Sequence, residues 1–169
     1  RSPSRGLGDV YKRQILQKSS EILMDYQKSN IMTGDLLINN KDAYTTWGVN
    51  MGDGFIEAIY APLPMKDVIE NKSRLQDGKR VIIENRKVDE RDLTLTFTLK
   101  GVSPSDYIAK YKAFLDEITK GEFAVKVPEL GEEVYHLYYL RSQSFGFNIA
   151  RTFSKISVKL NEPNPANRE

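Results

Sequence analysis

A stretch of strict alternation, RDLTLTFTLKG at residues 91–101, constrains the fold of this chain more than any other feature. Its apolar side chains, Leu93, Leu95, Phe97 and Leu99, fall on one face of an extended strand, and threonines occupy the opposite face. This pattern is typical of an antiparallel strand that has one face on a core and the other in water. The sequence therefore predicts a fold built mainly on an antiparallel sheet.

Five further segments predict strands, because they combine β-branched and aromatic residues between turn-forming stretches. They are residues 36–39, 80–84, 122–127, 134–141 and 145–160. The last segment is long for one strand, and Phe153 is out of phase with Ile156 and Val158. We predict a bend or a β-bulge near residues 150–151, because an extra residue in a strand shifts the alternation.

The segment SPSDYIAKYKAFLDEITKG predicts a helix over residues 104–120. Ser103 is a good N-cap, Pro104 suits the first helical position, and Asp106 completes a pattern similar to a capping box. Lys120 and Gly121 provide a favourable C-terminal end. Helical spacing brings the apolar side chains onto one stripe that we expect to pack on the sheet: Tyr107, Tyr111, Phe114, Leu115 and Ile118.

Residues 48–79 show little periodicity and contain several turn-forming stretches, among them NMGDGF, APLPMKD and SRLQDGKR. A connection of this length inside one domain is usually functional or disordered. Its apolar residues argue against disorder, because disordered segments contain few of them. We therefore predict an arm that packs on a neighbouring subunit through Phe55, Ile56, Ile59, Tyr60, Leu63 and Met65.

The first residues of the chain resemble a cloning artefact more than a protein segment. The stretch SRGLGDVYKRQ, residues 4–14, resembles the translation of a transposase adapter that is used to prepare sequencing libraries. We therefore expect residues 1–31 to be a non-native or disordered prefix, with Met32 as the preferred start ahead of Met24. A single domain is expected over residues 32–163, followed by a C-terminal tail over residues 164–169.

The charge balance of the chain depends on that prefix. The whole chain has 25 basic and 23 acidic residues, which gives a net charge of +2. Residues 1–31 hold six of the basic and three of the acidic residues, so the remainder has a net charge of −1. Bulk charge therefore gives no reason to expect nucleic-acid binding. No apolar run reaches the roughly 18 residues that predict a membrane-spanning helix, so no membrane association is expected.

Residue types that carry chemistry are scarce in this chain. The absence of cysteine excludes disulfides, thiolate zinc sites and a cysteine nucleophile. The single histidine, His136, has no second ligand at a metal-binding spacing, so we predict a structural role for it. The GDG and DGK stretches at residues 52–54 and 77–79 match turns better than calcium or phosphate loops. We therefore predict no catalytic residue, no cofactor and no metal site, and a protein that is not an enzyme.

The order of these elements gives a family resemblance. In chain order they are LLINNKDAYTTWGV, the strand LTLTFTLKG, the helix YIAKYKAFLDEI, the strand VYHLYYL and the closing FSKISVKLNEPNP. This order resembles the N-terminal domain of phage distal tail proteins, and the related tail-tube fold, as carried by phages and prophages of gut Bacteroidales. The resemblance extends from Gly34 to Pro163. It includes no counterpart of the additional C-terminal domain that many distal tail proteins carry.

The resemblance implies an α+β fold that is mainly β, an antiparallel β-sandwich or split barrel with one flanking α-helix. It also implies a virion component that is assembled in the cytoplasm of the host bacterium as a homo-oligomeric ring, expected to be a hexamer. Such a ring would contact other phage tail proteins, and DNA would pass through it only as cargo. The ring would join the tail tube to the baseplate or to the receptor-binding apparatus. A distal ring, a tube and a tube-capping protein all remain open as its place in the tail.

The alternative is a carbohydrate-binding β-sandwich module. Such a module needs an exposed aromatic platform, and the sole tryptophan, Trp47, could provide one. However, Trp47 follows AYTT at the end of a predicted strand, which favours burial against the core. The oligomeric state separates the two readings, because a ring favours the tail component and a glycan-binding monomer favours the module.

Overall fold

The alternating segment forms a ten-residue strand, the sixth of the seven across the principal sheet. In the computed structural model, which describes residues 33–169, seven strands form one antiparallel sheet. Their order across the sheet is β2 (Lys41–Asp42), β1 (Leu37–Ile38), β7 (Glu122–Lys126), β8 (Val134–Phe147), β9 (Phe153–Glu162), β6 (Arg91–Lys100) and β3 (Val49–Met51). Two further strands, β4 (Ile69–Asn71) and β5 (Arg80–Ile82), pair with each other. The predicted prefix over residues 1–31 and the predicted start at Met32 lie outside the described residues.

Three α-helices accompany the sheet in the described part of the chain: α1 (Ala43–Trp47), α2 (Phe55–Ile59) and α3 (Pro104–Thr119). A 3₁₀ turn over Pro128–Leu130 separates β7 from β8. Helix α3 begins as predicted, because the Ser103 hydroxyl accepts a hydrogen bond from the Asp106 backbone N–H at 3.2 Å. The Asp106 carboxylate in turn accepts one from the Val102 N–H at 2.9 Å. The first bond satisfies a donor that a helix start leaves unpaired, and the second holds the residue before the N-cap against the first turn.

The core lies between one face of the sheet and the helices. In the register of β6 with β9, Leu93 pairs with Leu160, Leu95 with Val158 and Phe97 with Ile156, and all six side chains are buried. From α3, Tyr107, Phe114 and Ile118 are buried against this face, while Tyr111 and Leu115 are partly buried. The α+β class with a mainly antiparallel sheet and one longer flanking helix is therefore confirmed.

The predicted single strand over residues 145–160 is wrong. The chain reverses direction between Phe147 and Phe153, so β8 and β9 form a long hairpin. The Asn148 side-chain oxygen accepts hydrogen bonds from the N–H groups of Thr152 and Phe153, and Arg151 has a φ of 57°. Phe153 is out of phase with Ile156 and Val158 because it lies on the opposite, exposed face of the same strand, β9. The predicted strand over residues 134–141 accordingly continues to Phe147, with irregularities of register near residues 140 and 143.

Two tight turns depend on residues that tolerate a positive φ. Asn39 and Asn40 have φ values of 49° and 63° and connect β1 to β2 in a two-residue turn. The Asn39 side chain also donates to the Glu117 carboxylate at 2.7 Å and accepts from the Ala124 N–H at 2.9 Å. Gly48 ends α1 with a φ of 65°, and a Cβ there would lie 2.2 Å from a backbone carbonyl oxygen of β6. Only glycine fits this position.

Candidate assembly surfaces

The structure separates the six residues that were predicted to contact a neighbouring subunit. Phe55 and Ile59 lie one helical turn apart in α2 and are 1% and 0% exposed, respectively. A neighbouring subunit cannot reach them, so the interpretation of these two residues as contacts is wrong. A helix of five residues gives too short a periodic signal to be recognised in the sequence. Ile56 is partly buried against the same core.

The other three predicted residues lie nearer the surface. The side chains of Tyr60 and Met65 are 63% and 39% exposed, and Leu63 is half-buried. They follow α2 and lead into the hairpin of β4 and β5. The predicted arm therefore starts later in the chain than the predicted bounds of 48–79, because β3 and α2 belong to the core. Contact of these three residues with another subunit remains a prediction.

A mostly exposed hairpin over residues 64–89, here called the arm, connects α2 to β6. Its base is closed by backbone hydrogen bonds from Lys66 N–H to the Lys87 carbonyl at 2.9 Å and from Asp89 N–H to the Pro64 carbonyl at 3.0 Å. Its large apolar side chains lie in water: Ile69, Leu75, Ile82 and Ile83. An isolated two-stranded ribbon is only marginally stable in water, and exposed apolar side chains in a group mark interaction sites. The arm is therefore a candidate docking element.

Besides the outer edges of the short end strands β2 and β3, the main sheet has two stretches among residues 33–169 that have no strand partner on one side. β7 pairs with β8 only as far as Tyr138, so the rest of β8 has β9 on one side and no described strand on the other. β3 pairs with β6 only from Phe97 to Leu99. A further bond joins the Gly52 N–H to the Thr96 carbonyl at 2.7 Å, and the part of β6 before Thr96 has no described strand on that side.

These two edges lie on opposite sides and at opposite ends of the sheet. The start of β6 lies beside the end of β9, since Arg91 pairs with Glu162. The end of β8 lies beside the start of β9, since Phe147 pairs with Ser154. An uncovered strand edge presents unpaired N–H and C=O groups, and these groups can pair with a strand of another chain. The sheet therefore offers two different edges for contact with another chain.

Aromatic side chains mark the uncovered end of β8. Phe145 and Phe147 are 49% and 47% exposed, and their ring centroids are 5.9 Å apart. Phe147 contacts Tyr107 at 5.1 Å and Phe145 contacts Tyr111 at 5.7 Å between centroids, so both rings lie beside α3. Ile149, at the tip of the β8–β9 hairpin, is fully exposed. This apolar surface is continuous with the uncovered edge.

A cluster of charged groups lies where β9 ends. Glu162 is completely buried, and its carboxylate accepts hydrogen bonds from Arg91 and Arg168. Arg168 also donates to Glu133 at 3.0 Å and lies over the Tyr135 ring. Burial alone would lower the pKa of Arg168, but its hydrogen bonds to Glu162 and Glu133 raise that pKa, so the guanidinium stays charged.

The alternation of buried and exposed positions in the sequence pointed to this charged cluster. Arg91 continues the buried alternation of Leu93 and Leu95, and Glu162 continues that of Leu160. A charged residue in a buried register position predicts a buried ion pair. Residues 164–169 were predicted as a tail, and in the structure Arg168 attaches this segment to the body.

The other residues considered as candidate functional groups have structural roles. His136 lies on the partly exposed face of β8, with its Nδ1 3.3 Å from a Glu122 carboxylate oxygen. Trp47 is 4% exposed and packs against Phe114, so the predicted burial is confirmed and Trp47 does not form a glycan platform. Across residues 33–169, no group of three or more His, Asp or Glu side chains converges in a way that could hold a metal ion. No helix in this range is long and apolar enough to cross a membrane.

Comparison with known proteins gives one informative result. No family model matches the chain, and no curated protein matches it. Among solved structures, it is similar to the Dit protein of bacteriophage SPP1, with a TM-score of 0.52 and 10% sequence identity. The chain has the fold of a phage distal tail protein. The similarity covers 78% of this chain and 50% of the SPP1 protein, so this chain matches half of that Dit protein. The SPP1 Dit is described as a paradigm of the hub adsorption apparatus of phages that infect Gram-positive bacteria.

Proposed function

We propose that this Dit-like protein is a structural, non-enzymatic component of a phage tail that assembles as a homo-oligomeric ring of six subunits. The ring would link the tail tube to the baseplate or to the receptor-binding apparatus, and DNA would pass through it. The observation that carries the proposal is the similarity of its fold to that of SPP1 Dit. The predicted resemblance of the sequence to the same family supports it independently of the structure.

The two uncovered edges support a ring in particular. A cyclic ring joins one surface of each subunit to a different surface of the next, whereas a two-fold dimer joins a surface to itself. The end of β8 and the start of β6 are two such different surfaces. Pairing β8 of one subunit with β6 of the next would satisfy both edges and continue the sheet from subunit to subunit.

The arm would supply a second contact. Its exposed isoleucines, together with Tyr60, Leu63 and Met65, would be buried against the adjacent subunit. This accounts for apolar side chains that the subunit itself leaves in water. The arm lies outside the core of its own subunit, so changes in it should affect assembly more than folding.

Mass measurement of the purified protein by multi-angle light scattering, with negative-stain microscopy, tests the ring. We expect a closed ring with a mass six times that of the subunit. A protein that stays monomeric at high concentration would contradict the proposal, and a monomer that binds glycans would favour the carbohydrate-binding alternative.

A proline at position 94 tests the edge contact. Thr96 points its carbonyl toward β3, and backbone groups alternate in direction along a strand, so Thr94 points its N–H toward the uncovered edge. Thr94→Pro removes that donor without removing a bond to β9, and we expect folded subunits that no longer form rings. Thr94→Ala keeps the N–H and is the matched control, so it should assemble normally. Circular dichroism checks the fold of both variants.

Lysine substitutions test the arm in the same assay. Ile69 and Ile83 are 69% and 66% exposed, so replacing both with lysine should leave the fold intact and weaken the ring. Val102→Lys is the control, because Val102 is 90% exposed and lies outside the arm. Rings that persist in the double variant would show that the arm is not a subunit contact.

A further inference from the structure

The buried carboxylate of Glu162 is shared by two arginines from distant parts of the chain. Its Oε2 accepts a hydrogen bond from Arg91 Nε at 2.5 Å. Arg168 donates to both oxygens, from Nε to Oε1 at 2.9 Å and from Nη2 to Oε2 at 3.2 Å. A carboxylate that is 0% exposed depends on such donors, because water does not reach it.

Arg91 joins the two ends of the arm. It lies two residues after the arm, and its Nη2 donates to the Ile59 carbonyl at 2.8 Å. Its Nη1 donates to the Ala61 carbonyl at 3.2 Å, in the segment that leads into the arm. The position of this one guanidinium therefore sets how the chain enters and leaves the arm.

Arg168 holds the C-terminal segment, residues 163–169, on the body. Its carbonyl accepts from the Val134 N–H at 3.0 Å, and its Nη1 donates to Glu133 at 3.0 Å. Its guanidinium carbon lies 4.5 Å from the centroid of the Tyr135 ring. Pro165 of the same segment is buried. The segment is thus a docked strap whose principal polar anchor also contacts Glu162.

We propose that residues 163–169 act as a latch on the base of the arm, with Glu162 as the link. Removal of Arg168 takes away two of the hydrogen bonds to the Glu162 carboxylate and leaves Oε1 without its donor. The carboxylate then rotates or admits water, because an unpaired buried charge is costly. Either change disturbs Arg91 and its bonds to Ile59 and Ala61. The order of the arm base therefore depends on whether the latch is docked, in a monomer as well as in a ring.

Amide hydrogen exchange of the full chain tests this coupling. The Lys66 and Asp89 amides close the arm base, and the Val134 amide reports whether the latch is docked. In Arg168→Ala we expect all three amides to exchange roughly tenfold faster, while amides of β6 and β9 in the core stay protected. Asn167→Ala is the matched control, because Asn167 is an exposed residue of the same segment. This variant should exchange like the wild type.

One result overturns the proposal. If the Val134 amide exchanges faster in Arg168→Ala while Lys66 and Asp89 exchange as in Asn167→Ala, the latch opens without affecting the arm. If Arg168→Ala does not fold, Arg168→Lys decides the question, because lysine keeps the charge and cannot bond both carboxylate oxygens in a fork. For each amide, the exchange rate in that variant is divided by the rate in the wild type. The proposal stands only if this ratio is larger for the arm-base amides than for the core amides of β6.

Discussion

Truncation of Phe114 should cost more stability than any other single change in helix α3. Its side chain is 0% exposed at the centre of the contact between α3 and the sheet. Its ring lies 5.3 Å from that of Phe97 in an edge-to-face arrangement and 6.3 Å from that of Trp47. One residue thus joins α3, β6 and the end of α1.

The magnitude follows from burial and packing. Burying a phenylalanine side chain contributes about 1.5–3 kcal/mol by transfer alone. The cavity left by Phe114→Ala brings the total cost to about 3–5 kcal/mol. The lost aromatic contacts each add about 0.5–1.5 kcal/mol beyond area, which favours the upper part of that range. For a domain of this size we expect the melting temperature to fall by roughly 10 °C or more.

Urea denaturation followed by circular dichroism measures the effect, with two neighbours on the same helix for comparison. Leu115 is only partly buried, so Leu115→Ala should cost about 1 kcal/mol, below the roughly 2–5 kcal/mol expected for a fully buried leucine. Ile108 is 46% exposed, and Ile108→Ala should cost less than about 0.5 kcal/mol. A loss in Phe114→Ala no larger than that in Ile108→Ala would refute the packing of α3 on the sheet.

Three further predictions concern single contacts. The hydrogen bond from the Asn39 side chain lowers the pKa of Glu117 from its ordinary value of 4.5, although partial burial opposes this. The stability that Glu117 contributes is fully present above the pKa of Glu117 in the unfolded chain, and it is lost as the pH falls through the pKa in the folded protein. Glu117→Gln removes this titration. In urea titrations at different pH values, the variant should therefore lose less stability than the wild type between about pH 5 and about pH 3. Asn39→Ala should cost about 2 kcal/mol in urea titration, because it removes the hydrogen bond to Glu117 and leaves the Ala124 N–H without its side-chain acceptor. Asn40 has a similar φ but makes no such side-chain bonds, so Asn40→Ala should cost about 1 kcal/mol or less; equal costs would contradict the bridging role. Gly48→Ala should cost about 2–3 kcal/mol, because its Cβ would clash with backbone, and Gly78→Ala, at a φ of 73° in open space, should cost only about 1 kcal/mol; thermal melts of both variants decide.

Features that depend on neighbouring residues could be predicted from the sequence. The alternation around Phe97 determined a half-buried strand, because side chains at every second position share a face. The Ser103 cap and the apolar stripe through Phe114 determined helix α3, since capping and helical periodicity act within a few residues. The burial of Trp47 was also predictable from its place in the chain. The phase of Arg91 carried a signal for the buried charge cluster, although it did not identify the partner.

Features that depend on distant pairing were decided by the tertiary structure. Residues 145–160 were predicted as one long strand with a bend or bulge, because the alternation does not show which residues pair across a turn. The sequence placed Phe55 and Ile59 in a loop, because a helix of five residues is too short to show helical periodicity. Such a helix is stabilised by packing against the core and not by its intrinsic helix propensity. Arg91 and Glu162 meet across 71 positions of sequence only because β6 and β9 pair in one register. The register between distant strands is fixed by the burial of all the apolar side chains on one face of the sheet. These side chains come from several strands, so no short stretch of the sequence predicts the register.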